Sequence, residues 1–338
     1  MKNRQSTLIA LALLVLLAGL AIAAFDYTSR DAMGRPNAIR EPLLFTVAAG
    51  SDLGQVAASL EHAGLVSHHA YFEWRARWAG VAGALQAGTY EVLPQDTATD
   101  VLARIVAGRT KTFTITFVEG TRFSDVRRVL DAHAYVAHKF AKRSDDEIMT
   151  ALGMAGQPAE GQFFPSTYHF KADTTDLELL KRAYRRMQTQ LNTTWGRRAA
   201  QRPYNSPYEV LIMASIVEKE TARAEERPAI AGVFVRRLEK GMKLQTDPTV
   251  IYGMGHAYNG NLRRADLEHD TPYNTYTRSG LPPTPIALPG AAALDAAVLP
   301  ALGNALYFVA RGDGTHQFSA SLAEHDDAVR RFQLRDHQ

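Results

Sequence analysis

One glutamate, Glu218, is the side chain of this chain best suited to acid–base chemistry. It lies in the run Leu211-Ile212-Met213-Ala214-Ser215-Ile216-Val217-Glu218-Lys219-Glu220-Thr221. Ser206 is a good N-cap and Pro207 suits a first helical position, so the run is expected to be helical. On that helix the positions three and four residues from Glu218 hold Ala214, Ser215, Thr221 and Ala222, and none offers a charge. Leu211, one heptad back, lies on the same face. Glu218 is therefore expected to be an unpaired carboxylate on a small, partly apolar stripe. Glu220 lies about 200° further round the helix, with Arg223 three residues on, and is expected to be an ordinary salt-bridged surface acid. A carboxyl that loses water without gaining a cation has its pKa raised, which is what a general acid requires. Taken alone, a helical glutamate is more often a solvated surface residue, so the rest of the chain has to decide.

Composition narrows the field. The 338 residues have room for two domains plus appendages, and 46% hydrophobic with 22% charged content is that of a globular protein with a sizeable core. The net charge of +3, from 38 basic and 35 acidic residues, is mildly basic. Lys and Arg form no stripe, so nucleic acid is not an expected partner, whereas an acidic polymer or an anionic membrane surface is compatible. The absence of cysteine excludes disulfides, thiolate chemistry and Cys-bound zinc. Leu8 to Phe25 is free of charge and follows a head carrying Lys2 and Arg4, which reaches the length of a spanning helix. Ala21-Ile22-Ala23 also fits a signal-peptide cleavage site. A retained single-pass anchor over 8–25 is the expectation, with a cytoplasmic head (1–7), a tether (26–42) and an exported remainder.

The elements that must position this acid are of mixed type. Phe45-Thr46-Val47 and Gly88-Thr89-Tyr90-Glu91-Val92 read as strands enclosing two helices, one carrying Leu53, Val56, Ala57 and Leu60, the other Tyr71, Trp74 and Trp78. This layout over 43–110 resembles the LysM module, a small glycan-binding fold; an adapter without sugar affinity has the same layout. A larger domain is expected over 111–338. Thr112 to Val118 alternates at period two, and Asp176 to Asn192 and Ala229 to Glu239 read as helices. Residues 270–290, dense in Pro, Gly, Tyr and Asn, read as a binding loop. Leu306 to Ala310 and His316 to Ser319 form a hairpin across Gly312-Asp313-Gly314, and Ser321 with Glu324 makes a capping box. Helices and strands without a βαβα rhythm indicate an α+β fold.

Five ordered motifs now carry a resemblance: Glu160-Gly161-x-Phe163-Phe164-Pro165, Ala214 to Thr221, Leu244-Gln245-Thr246-Asp247-Pro248-Thr249-Val250, Tyr273-Asn274-Thr275-Tyr276 and Gly280-Leu281-Pro282-Pro283. Together they look like the YceG-like family, over a stretch from about Phe45 to the C-terminus. The resemblance implies cleavage of the MurNAc-GlcNAc bond within peptidoglycan strands. The C6 hydroxyl of MurNAc attacks its own C1 and leaves a 1,6-anhydro end. Glu218 is the residue that matches the family's catalytic glutamate, as acid to the leaving GlcNAc oxygen and then as base to the C6 hydroxyl. An intramolecular attack needs no water-activating base, so one carboxyl can serve both steps, where ordinary glycosidases need two. The resemblance further implies the bacterial inner membrane as location, a periplasmic catalytic domain, and glycan-polymerising synthases as partners.

The remaining candidates each have two readings. Glu160 is a second carboxylate, or it bonds backbone amides, with orienting its loop or binding sugar read ahead of acid catalysis. Asp247 caps its helix or touches substrate. Gln245 and Asn274 could bond sugar hydroxyls or acetamido groups, and Asn274 could equally hold its own loop. Phe163, Tyr168, Tyr273 and Tyr276 could stack on pyranose faces or belong to the core. His316, His325 and Glu324 match no zinc spacing, and neither metal nor cofactor is expected. Gln162, Ser166 and Arg236 depart from the family pattern, which leaves the sugar contacts of the first loop unassigned. Two other functions stay open: a hydrolytic muramidase with Glu160 as partner acid, and a catalytically idle glycan-binding scaffold.

Overall fold

The structure, a computed structural model, describes residues 2–198 and 203–333 and divides into two compact units, Met1–Phe113 and Thr114–Gln338. Unit 1 holds α1 (Lys2–Gly34), β1 (Leu43–Val47), α2 (Leu53–His62), α3 (His69–Trp78), β2 (Gly88–Val92) and α4 (Ala98–Val106). β1 and β2 pair antiparallel with Phe45 opposite Tyr90. Asp52 with Gln55 and Thr97 with Asp100 form capping boxes that start α2 and α4. Leu60, Phe72, Ile105 and Tyr90 meet in the core, and the Tyr90 hydroxyl donates to the Gln86 carbonyl. The βααβ order expected for this region is present.

α1 differs from expectation in length. Its segment Gln5–Gly34 is long and apolar enough to cross a membrane, with a mean hydropathy of 2.9 in its most apolar window. The helix does not stop at Phe25, however. It runs on to Gly34 through part of the expected tether, because Ser29 and Met33, one turn apart, bury one face within unit 1. The Thr99 hydroxyl donates to the Met33 carbonyl, and the Asn37 amide donates to the carbonyls of Leu93 and Asp96.

Unit 2 continues with β3 (Thr112–Phe117), which starts at the boundary, then α5 (Phe123–Ala132), α6 (Asp145–Ala151), β4 (Ser166–Lys171) and α7 (Asp176–Gly196). Beyond these come α8 (Pro207–Glu220), α9 (Arg227–Glu239), α10 (Asp247–Met254), α11 (Arg264–Glu268), α12 (Ala291–Val298), β5 (Tyr307–Ala310), β6 (His316–Ser319) and α13 (Leu322–Phe332). β3 pairs with β4, and β5 with β6 in the expected hairpin, so the fold is α+β with three separate two-stranded sheets among the described residues.

The centre of unit 2 is α8. Every residue from Val210 to Val217 is buried, with α7, α9, α10 and α12 packed around it. A helix apolar on all sides belongs inside, and each large aliphatic side chain buried there contributes about 1.5–3 kcal/mol. Ser215, the one polar residue in that stretch, is satisfied: its hydroxyl donates to the Ile212 carbonyl and accepts from the Ile286 amide. The helix is thus a fixed rod, and its C-terminal end carries both glutamates.

Candidate active site

α8 ends at Glu220 because Thr221 turns extended, at φ −144° and ψ 136°. Glu220 therefore leaves the packed helix at its C-terminal end and opens on a cleft of 480 Å³. Arg237, Gln245, Thr246, Asp247, Tyr276, Tyr307, His316 and His325 also line this cleft. The Thr246 hydroxyl donates to Glu220 Oε1, the one hydrogen bond recorded on this carboxyl among the described residues. Loss of water pushes the Glu220 pKa up to about 7; Thr246 opposes the shift, the negative charge of Asp247 adds to it, and His316 and Arg237 pull it back. The carbonyl end of α8 also disfavours a negative charge there. Arg237 makes no ion pair with Glu220 among the described residues, because its guanidinium donates to the carbonyls of Leu306 and Leu244 at 2.7 Å each.

The opposite wall is the Leu244–Thr249 segment, strapped to the 270–290 loop. The Gln245 amide donates to the Thr275 carbonyl at 3.2 Å, and the Thr246 amide to the Thr275 hydroxyl at 3.1 Å. Gln245 has φ 52°, the left-handed region that a side-chain-bearing residue adopts only when its surroundings impose it. Gln245, Asp247 and Tyr276 line this same cleft. Asp247 does not cap α10: Thr246 is the N-cap residue, and Asp247 Oδ1 instead accepts from the Tyr276 hydroxyl at 2.5 Å.

Glu218 is not the unpaired carboxylate expected of it. Arg227 Nη2 donates to its Oε1 at 2.8 Å and the Gly290 amide to its Oε2 at 2.9 Å, and the side chain is only 5% exposed. Burial still raises its pKa, with the Gly290 hydrogen bond and Arg227 opposing. Both oxygens are committed, and Glu218 does not line the Glu220 cleft. Arg227 lies nine residues on, brought back by the turn between α8 and α9, where helix-surface spacing does not reach. Glu220 is likewise not a salt-bridged surface acid. Because α8 has ended, Arg223 is not one turn away; its Nη2 donates to the Asp313 carbonyl instead.

Glu160 sits apart from the cleft. It accepts from the Phe123 amide at 3.0 Å and the Tyr252 hydroxyl at 3.1 Å, tying its loop to the start of α5, and burial pushes its pKa up to about 7. This is the amide-binding reading. Phe163 and Tyr168 belong to the core: Phe163 is buried and stacks on Phe123 at 4.7 Å, and Tyr168 is buried with its hydroxyl on the Phe164 carbonyl. Neither offers a free face to a sugar. Asn274 is a loop clamp, fully buried, its amide donating to the carbonyls of Leu267 and His269 and its oxygen accepting from the Tyr276 amide. Tyr273 packs on Tyr252 at 4.8 Å, with its hydroxyl on Thr284, outside the cleft.

Sequence reasoning missed Thr246, Arg237 and Tyr307, and set aside His316 and His325, which the structure places on the cleft. His316 Nδ1 lies 2.6 Å from Glu226 Oε2, an arrangement that brings together residues ninety positions apart. Thr246 carried a signal, since it sits inside the Leu244–Val250 motif; the others had none beyond residue type.

The geometry can be set beside known proteins. The YceG-like family matches residues 45–331. The chain belongs to the YceG-like family. Among its relatives, the endolytic murein transglycosylase of Bacillus subtilis (strain 168) is 30% identical over 303 residues, which is 85% of this chain and 83% of that protein. The endolytic murein transglycosylase of Streptococcus pneumoniae serotype 2 is 28% identical over 314 residues, 83% of this chain but 56% of the pneumococcal protein, so this chain matches little more than half of that length. A crystal structure of a yceG-like protein from Listeria monocytogenes, 27% identical, matches with a TM-score of 0.50 over 86% of this chain and 99% of that one. The resemblance carried by the five motifs is thereby borne out, and it spans both units.

Proposed function

We propose that this YceG-like chain is an endolytic murein transglycosylase whose single acid–base is Glu220. It cuts the MurNAc-GlcNAc bond inside peptidoglycan strands and leaves 1,6-anhydro-MurNAc ends. The observation that carries the assignment is the division of labour between the two glutamates. Glu220 opens on the cleft with a pKa raised to about 7, whereas Glu218 has both oxygens engaged by Arg227 and Gly290. The role expected for Glu218 therefore passes to Glu220.

A protonated Glu220 gives its proton to the leaving GlcNAc oxygen, and the carboxylate then takes the proton of the C6 hydroxyl as that oxygen closes on C1. No water is consumed. Thr246 stabilises the carboxylate between the two steps, and Asp247 keeps the resting group protonated. Gln245 and the Asp247–Tyr276 pair supply polar contacts for the sugar chain along the wall. Glu160, held by the Phe123 amide, has no part in proton transfer, which disfavours a hydrolytic muramidase with two carboxylates.

α1 supports a single-pass membrane anchor; in our reading that membrane is the inner one and both units are periplasmic, where cutting would end strands as synthases extend them. The βααβ layout of unit 1 supports a LysM-like role in holding glycan, testable by sedimentation with insoluble peptidoglycan. The test of the function is digestion of purified peptidoglycan by the full-length protein in detergent, with products read by mass spectrometry. Fragments one water lighter with anhydro ends are expected; reducing ends would refute the lytic mechanism.

A further inference from the structure

The junction between the apolar helix and the first folded unit contains no slack. Phe25 ends the charge-free run of α1, and its ring lies 5.2 Å from Tyr71 and 5.5 Å from Trp74 of α3. Trp74 in turn stacks on Trp78 at 5.8 Å. The next residue, Asp26, accepts from the Trp74 indole N–H at 3.3 Å and from Arg75 at 3.1 Å. The run Leu8 to Phe25 rises about 27 Å as a helix, close to the roughly 30 Å hydrocarbon thickness of a bilayer. When α1 spans, Phe25 stands at the edge of the hydrocarbon, and the rings of Tyr71 and Trp74 that touch it share that level.

Two large aromatic side chains in this region are left uncovered. Trp78 is 65% exposed and Tyr27, on α1 two residues past Phe25, is 75% exposed. Tyr and Trp, apolar in body and polar at the tip, are the side chains that favour the headgroup boundary. We propose that Tyr27, Tyr71, Trp74 and Trp78 form an interfacial anchor that seats unit 1 on the lipid headgroups of the bilayer that α1 crosses. The occupant is lipid because the surface is continuous with the spanning helix and rises directly from its end. The inference rests on the reading of α1 as a membrane anchor. Its consequence is that unit 1 does not swing on a tether: residues 26–34 are helix, docked through Asp26, Ser29 and Met33, and the height of the βααβ layer above the membrane is fixed.

The chain has three tryptophans, at positions 74, 78 and 195, which makes the test direct. Full-length variants keeping one Trp each, the others changed to Phe, are reconstituted into phosphatidylethanolamine–phosphatidylglycerol vesicles. The lipids carry bromines either just below the headgroup or at mid-chain. Trp195, in unit 2 and covered by the Arg198 guanidinium at 3.7 Å, is the Trp outside the proposed anchor against which the other two are compared. Shallow bromines are expected to cut Trp74 and Trp78 emission by about twofold or more, and deep ones by less, as rings at the interface require. Emission no more quenched than that of Trp195, with α1 still resisting alkaline extraction, would overturn the interfacial anchor while leaving the membrane reading intact. Stronger quenching by deep bromines would overturn it too, by placing the rings in the hydrocarbon. Release of the protein by alkali would refute the spanning reading itself.

Discussion

Thr246 donates its hydroxyl hydrogen to Glu220 Oε1 across the cleft, joining the last residue of α8 to the N-cap of α10. The bond sets the proton affinity of the proposed acid–base, because it favours the charged form that burial and Asp247 disfavour. Thr246→Val keeps the shape of this buried residue and removes the donor. The Glu220 pKa should then rise further, moving the alkaline limb of the kcat/KM profile up by about one pH unit, with kcat lowered about tenfold. An unshifted limb would mean that Thr246 holds only the loop.

The wild-type profile follows from the raised pKa. Glu220 must enter the reaction protonated, and with its pKa at about 7 it is protonated through the mildly acidic range. Initial rates on purified peptidoglycan should be flat there and fall by about tenfold per unit well above the pKa, as loss of one essential proton requires.

Glu160 gives a stability prediction separable from activity. Its folded pKa of about 7 lies above the reference value of 4.5, so the folded state holds a proton that the unfolded chain releases. The associated stability is fully present below pH 4.5 and is lost as pH rises through 7. Thermal unfolding of Glu160→Gln, measured between those values, should show a shallower decline with pH than the wild type, whatever its absolute Tm.

The Glu218–Arg227 pair should matter to folding first. Arg227→Ala leaves the Glu218 carboxylate buried with only the Gly290 amide, and losing one partner of a buried ion pair costs about 3–5 kcal/mol. Urea unfolding should show that loss. The fraction still folded should keep activity within about tenfold of wild type, the scale of a misplaced support and below the loss of an acid–base group.

Much of the architecture was legible in the sequence because local signals and tertiary structure agree. The Ser206 cap of α8, the Gly-Asp-Gly hairpin and the Ser321–Glu324 box all act within a few residues of themselves. The site was legible as motifs, and Gln245, Asp247 and Tyr276 do gather on one cleft. What failed was any inference that treated α8 as a surface helix. Its last turn ends at Glu220, so the Arg223 spacing has no meaning there, and the partner of Glu218 comes from the following helix. Phe163, Tyr168 and Asn274 were ambiguous for a related reason. Residue type does not tell an aromatic that stacks on a sugar from one that stacks on Phe123, nor an amide that binds ligand from one that ties a loop.

In the proposed assignment Glu220 is the proton donor and Glu218 its ion-paired neighbour. Glu220→Gln and Glu218→Gln, each confirmed folded, are to be compared on purified peptidoglycan by counting anhydro ends in the mass spectrum. Glu220→Gln should lose about 10²–10⁴-fold in rate, the worth of a positioned acid–base, while Glu218→Gln stays within about tenfold and unfolds more readily. The reverse order, with Glu218→Gln inactive and Glu220→Gln still producing anhydro ends at near wild-type rate, would contradict it.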